Sequence, residues 1–125
     1  MNFRVCKITQ SKTYKELSHN SYKVVGKYYV MLYKIDNNHY LAKSFQYGIT
    51  ASKKVGNAVQ RNRSKRIIRV LINQINFPAL QNTLFVNVIA RKYSIGSSLK
   101  VLQTDFYTSM KKIISYEENF NQISN

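Results

Sequence analysis

A chain of 125 residues with 44% hydrophobic side chains can bury roughly two-thirds of its unfolded surface in one core. That excludes a disordered segment and removes any need for a second domain. The formal charge of +15, with a pI near 10.1, creates self-repulsion that is best tolerated beside a polyanion. The longest apolar run, YYVMLY, is closed by Lys27 and Lys34 and is far too short for a membrane span. Cys6 is the sole cysteine, so the chain forms no internal disulfide and no cysteine-based metal cluster.

In chain order, MNFRVCKITQSK lacks the apolar stretch of a secretory signal, so the expected location is cytoplasmic. Thr9, Ser11 and Thr13 are candidate N-caps for a first helix that carries Tyr14 and Leu17 and leaves through SHNS, 18–21. VVGKYYVMLYKI, 24–35, reads as one strand, with Tyr28, Val30 and Leu32 on one face and Tyr29, Met31 and Tyr33 on the other. DNNH, 36–39, supplies turn chemistry, and YLAKSFQYGITAS, 40–52, is expected to pair back on the preceding strand, with Gly48 marking a bulge or bend.

From Asn57 to Ile75 the period becomes helical. Ile68, Leu71, Ile72 and Ile75 fall in one sector, and Asn62, Lys65, Arg66 and Arg69 fall in the next, centred roughly a third of a turn away. FPALQN, 77–82, interrupts the pattern. TLFVNVIA, 83–90, is apolar enough for a central strand. Ser97 or Ser98 then caps a last helix whose Leu99, Leu102, Phe106, Met110 and Ile113 form a packing seam. The expected domain spans 1–115, and the tail 116–125 is expected to fray.

The stretch KKVGNAVQRNRSKRIIR, 53–69, holds seven basic side chains and no acidic one, and no Asp or Glu occurs between Asp36 and Asp105. Solvated helix faces usually mix signs and gain from opposite charges three or four residues apart. Here that relief is missing, which points to binding of a polyanion. Guanidinium forks match phosphate oxygens two at a time, so the expected contacts are Arg61, Arg63, Lys65, Arg66 and Arg69, extended by Lys53, Lys54, Arg91 and Lys92. Five acids lying near the ends or in a turn give no set of metal ligands for phosphodiester cleavage. His19 and His39, both in expected turns, read as exposed residues rather than an acid–base pair. Tyr14, Tyr28 and Tyr33 are candidates to stack unpaired bases, or equally to be buried with bonded hydroxyls.

GITASKKVGNAVQRNRSKRIIR, 48–69, followed by a strand ending VIARK, 88–92, resembles the bacterial ribonuclease P protein subunit. The order of strand and helix periods itself reads as α+β with a helix-covered sheet, and the resemblance implies the family's form of that fold. In detail this is a two-layer α/β sandwich of about four strands with three helices, ribosomal-S5-domain-2-like, with a left-handed βαβ crossover around the basic helix. It also implies the protein component of an endoribonuclease that removes the 5′ leader from precursor tRNA. In that family the partners are a catalytic RNA and precursor tRNA, not DNA or a membrane. No cofactor is bound by the protein alone, there is no catalytic residue in the protein, and magnesium is held mainly by the RNA.

By position, Arg61, Asn62, Arg63, Lys65, Arg66 and Arg69 match the RNA-facing helix, and Ser52, Lys53, Lys54, Gly56 and Asn57 match its lead-in. Tyr14 matches the aromatic position of a cleft that receives the single-stranded leader, with Tyr28, Tyr33 and Ser52 expected beside it. Ser18 stands where the family usually has a second aromatic residue, Val70 where an acidic or polar residue is common, and Tyr93 where proline is frequent. A structural RNA-binding protein of a ribosome-like particle accounts for the same charge.

Overall fold

The computed structural model describes residues 4–37 and 43–123. Its elements are β1 (Arg4–Lys7), α1 (Ser11–His19), β2 (Tyr22–Val25), β3 (Tyr29–Asp36), β4 (Ser44–Thr50), α2 (Ala58–Asn73), β5 (Thr83–Ala90), a short 3-10 turn (Lys92–Ser94) and α3 (Leu99–Ile123). The strands form one mixed sheet in the order β1-β4-β5-β3-β2. Among the described residues the sheet therefore has five strands, one more than expected. β1 went unread because four residues, mostly exposed, carry too little alternation.

The expected single strand 24–35 is a hairpin of β2 and β3, broken at Gly26–Lys27. A distant acid sets the break. The Asp105 carboxylate accepts the backbone N–H groups of Lys27 and Tyr28, each at 3.0 Å, and a Cβ on Gly26 would come 2.7 Å from it. β4 does not pair back on β3, because β5 lies between them, parallel to β4 and antiparallel to β3. β5 takes the centre because its apolar residues are buried on both faces. The β4–β5 ladder runs unbroken from Phe45↔Leu84 to Thr50↔Ile89, so Gly48 makes no bulge. The expected turn at 36–39 ends partly outside the described residues, as does His39.

Strand alternation divides the side chains between two faces. Tyr29, Met31, Tyr33 and Ile35 of β3 lie with Leu84, Val86 and Val88 of β5 and Phe45 of β4 beneath α2 and α3. Ile68, Leu71 and Ile72 close this core from α2, and Leu102, Phe106, Met110 and Ile113 close it from α3. Leu99, at the first helical position, remains exposed instead of joining the seam. α1 lies on the opposite face with Leu17 buried. Its N-cap is Gln10, not Thr9, Ser11 or Thr13. Ile8 is still bonded to Tyr47 as the chain leaves β1 (2.7 Å), and Gln10 O accepts the N–H groups of Thr13 and Tyr14.

The last helix does not stop at residue 115 but continues to Ile123. Tyr116 packs on Tyr22 and Tyr33, with ring centroids 5.0 and 5.7 Å away. Glu117, fully buried, accepts the backbone N–H groups of Gln81 (2.6 Å) and Asn82 (3.2 Å). These contacts hold a segment whose composition alone suggested fraying.

Tyr29 is 1% exposed and meets Phe106 edge to face. Burial, assisted by the Asp105 charge, pushes its phenol up to about 12. Above pH 10 the unfolded phenol loses its proton while the folded one keeps it, so the unfolded state binds fewer protons and stability falls as pH rises toward 12. Tyr29→Phe is expected to flatten that fall. Urea midpoints measured at neutral pH and between pH 10 and 12 check this, and equal slopes for both proteins would refute it.

Candidate nucleic-acid interface

The basic helix is fixed before its charges are considered. Asn57 and Gln60 form a reciprocal capping box: Asn57 Oδ1 accepts Gln60 N–H and Gln60 Oε1 accepts Asn57 N–H, both at 2.9 Å. Gly56, at φ 155°, brings the chain into this cap, and an added Cβ would strike the Gln60 amide. Val55 is buried and pins the lead-in to the core. Ser52 shapes the turn by accepting Val55 N–H on its carbonyl (3.0 Å) and Lys54 N–H on its hydroxyl (3.3 Å).

On that scaffold the helix presents two edges. Ile68, Leu71 and Ile72 face the sheet, while Asn62, Arg63, Arg66 and Arg69 are exposed and Lys65 is half-buried. Arg61 folds back, donating from Nη1 to Gly56 O at 3.2 Å, so it stiffens the lead-in as well as adding charge. Lys53 and Lys54 stand exposed on the preceding turn. Among the described residues, no carboxylate forms an ion pair with any of these seven cations. An ion pair between Lys34 and Glu16, at 3.9 Å, lies on the other side of the sheet. Asp105 and Glu117 are committed to backbone amides. Among the described residues the helix thus carries its charge without an ionic partner, the condition under which a polyanion is bound most readily.

Arg91 and Lys92 meet the lead-in at the ends of β4 and β5. Ser52, Lys54, Ile89, Arg91, Lys92 and Tyr93 line an open groove of about 620 Å³. Arg91 is partly structural there, since its Nη1 donates to Gly26 O at 2.8 Å and its guanidinium lies over Tyr93. Lys92 is exposed. Tyr93, in place of a frequent proline, sits within the 3-10 turn, where its carbonyl accepts the Ser97 hydroxyl.

On the α1 face, the Tyr14 ring rests over Gly48. A Cβ at Gly48 would lie 2.5 Å from Tyr14 Cε1. The glycine is therefore required by a close approach, a role its position in a strand signals only as one of several. Beside it, a hollow of about 260 Å³ is lined by Thr13, a residue read from sequence only as a helix cap, and by Lys7, Gln10, Gln46 and Phe85, which sequence patterns did not single out. Tyr33 does not belong to this cleft. It is 7% exposed on the α2–α3 face, against Tyr22 and Tyr116, because a period of two sends it to the side opposite Leu32 and Lys34. Tyr28 is half-buried at the sheet end, with Lys27 Nζ 5.4 Å from its ring centroid. Ser18 is exposed and donates its hydroxyl to Tyr14 O at 3.0 Å, adding no ring to the cleft. His19 is exposed at the end of α1.

Among the described residues, no group of three or more His, Cys, Asp or Glu side chains lies close enough to hold a metal ion. No helix there is long and apolar enough to cross a membrane.

Comparison with known proteins places these features in context. The sequence pattern of the family Ribonuclease P matches residues 4–114. The ribonuclease P protein component of Desulforapulum autotrophicum is 40% identical over 67 residues, a match spanning 54% of this chain and 56% of that protein. The component from Syntrophomonas wolfei is 27% identical over 120 residues, or 94% of each chain. Among solved structures, the RNase P protein of Staphylococcus aureus superposes with a TM-score of 0.69 at 25% identity, over 86% of this chain and 94% of that one. The RNase P protein of Thermotoga maritima shares the fold with a TM-score of 0.71 at 17% identity, over 85% of this chain and 96% of that one.

Proposed function

This chain belongs to the ribonuclease P protein family, and from that premise we propose that it is the RNA-binding subunit of a ribonucleoprotein that removes the 5′ leader from precursor tRNA. The observation that carries the reading is the row of exposed, carboxylate-free cations on a capped helix. Arg63, Lys65, Arg66 and Arg69, with Asn62, bind the phosphates of the catalytic RNA, while Lys53, Lys54, Arg61, Arg91 and Lys92 extend that surface. The single-stranded leader lies along the opposite face, beside Tyr14, where an aromatic ring and polar side chains suit unstacked nucleotides. The protein contributes binding and positioning, and magnesium ions held by the RNA supply the chemistry of cleavage.

At low magnesium, adding this protein to the catalytic RNA should restore cleavage of precursor tRNA at the 5′ end of the mature sequence. Product analysis by gel resolves the outcome. Tight RNA binding without any stimulation would favour the ribosome-like structural role, and cleavage by the protein alone would overturn the assignment of chemistry to RNA.

A further inference from the structure

Tyr93 is 52% exposed, although the turn that carries it is firmly held. Ser94 N–H donates to Arg91 O at 3.0 Å, Ile95 N–H donates to Lys92 O at 3.2 Å, and the Ser97 hydroxyl donates to Tyr93 O at 3.0 Å. Arg91, itself tied to Gly26 O, sets its guanidinium 5.2 Å from the ring centroid. The ring is thus fixed in place without being buried. It walls the open groove of about 620 Å³ at the ends of β4 and β5, together with half-buried Ile89 and exposed Ser52, Lys54 and Lys92.

The register of the sheet connects this groove to Tyr14. Gly48, under the Tyr14 ring, is opposite Asn87, and Thr50 is opposite Ile89. The Thr50 hydroxyl and Asn87 Oδ1 are 3.1 Å apart, so Asn87, and with it Ile89 two residues on, belongs to the α1 face. The step from Asn87 to Ile89 is about 7 Å along β5. The Tyr14 cleft and the Tyr93 groove therefore follow one another on the same face, while α2 and α3 cover the other.

We propose that Tyr93 is a second stacking platform for the single-stranded leader, holding an unpaired base farther along the path than the one beside Tyr14. The inference rests on the leader reading above and adds a residue and a site to it. Stacking needs an accessible aromatic ring and tolerates any base, whereas duplex RNA keeps its bases within the helix. Lys92 Nζ, 5.5 Å from the ring centroid, is the exposed end of a flexible stem and can leave the ring for a phosphate. Phosphate binding alone would use the cations of the groove and leave Tyr93 and Ile89 without a role.

The test assembles full-length wild type, Tyr93→Ala and Tyr93→Phe with the catalytic RNA and titrates each complex with precursor tRNA and with tRNA lacking a leader. Tyr93→Ala should bind precursor tRNA about tenfold more weakly, the size of one lost stacked base, and leaderless tRNA like wild type. Tyr93→Phe keeps the ring and should match wild type in both arms. On a leader stripped of its bases but not its phosphates, Tyr93→Ala and wild type should bind alike. The salt slope should not change, because every cation is retained. Thermal melting of free Tyr93→Ala should stay close to wild type, since the lost ring is exposed. If melting falls, Tyr93→Leu, which keeps apolar bulk without a π face, takes its place and should show the same tenfold loss. Unchanged affinity for precursor tRNA would overturn the proposal, as would an equal loss toward leaderless tRNA or toward the leader without bases. A wild-type complex that does not distinguish precursor from leaderless tRNA would instead overturn the leader reading, and this inference with it.

Discussion

Replacing Arg66 and Arg69 together by alanine is expected to lower affinity for the catalytic RNA about thirtyfold near physiological salt and to flatten the plot of log affinity against log salt by about two units. Both guanidinium groups are exposed on α2 and have no carboxylate partner among the described residues, so in the free protein they interact mainly with water and with one another. Their removal costs no protein contact and relieves like-charge repulsion, so thermal stability should hold or rise slightly. That combination separates lost phosphate contacts from damaged folding, which would lower stability and affinity together. Arg61→Ala is a less clean test: its bond to Gly56 O ties the lead-in to the helix, so its effect mixes charge with geometry. Salt-dependent binding isotherms for the double variant decide the matter. An unchanged slope would mean that the RNA is held by another surface.

The readable parts of this fold are those whose cause lies within a few residues. The Ile68–Leu71–Ile72 seam repeats at helical spacing, so the basic helix could be drawn from sequence, and its Asn57–Gln60 cap, seen in the structure, has an equally local cause three positions apart. The same holds for β5, whose density of apolar residues matches its central, doubly covered place. The parts that escaped have distant causes. Asp105 breaks a continuous strand signal at Gly26 and Lys27 across more than seventy residues. Glu117 and Tyr116 convert an apparently frayed tail into packed helix by reaching Gln81, Tyr22 and Tyr33. Tyr33 illustrates a subtler loss: its neighbours were assigned to the right faces, but which face carried α1 depended on the order of the sheet. In the candidate site, charge made the α2 surface legible, whereas the hollow beside Tyr14 is built from Lys7, Gln46 and Phe85, which come together only when β1, β4 and β5 align.

Gly48→Ala should separate the two faces of the sheet functionally. An alanine Cβ would lie 2.5 to 2.8 Å from the Tyr14 ring and hydroxyl, too close to coexist, but the obstacle is the free end of a side chain. Relief therefore comes from swinging Tyr14 away, while Leu17 keeps α1 anchored. The expected cost is about 1–3 kcal/mol of stability, as for other overpacked sites. The leader should lose its stacking partner, with affinity for precursor tRNA falling about tenfold relative to tRNA lacking a leader. Binding of catalytic RNA should stay near wild type, because α2 packs on the opposite face. A double-mutant cycle fixes the cause. Once Tyr14→Ala has removed the ring, adding Gly48→Ala should cost nothing and should gain slightly from a less flexible unfolded chain. Additive losses from the two substitutions would show that Gly48 acts through something other than Tyr14, and the cleft would then lose its physical basis.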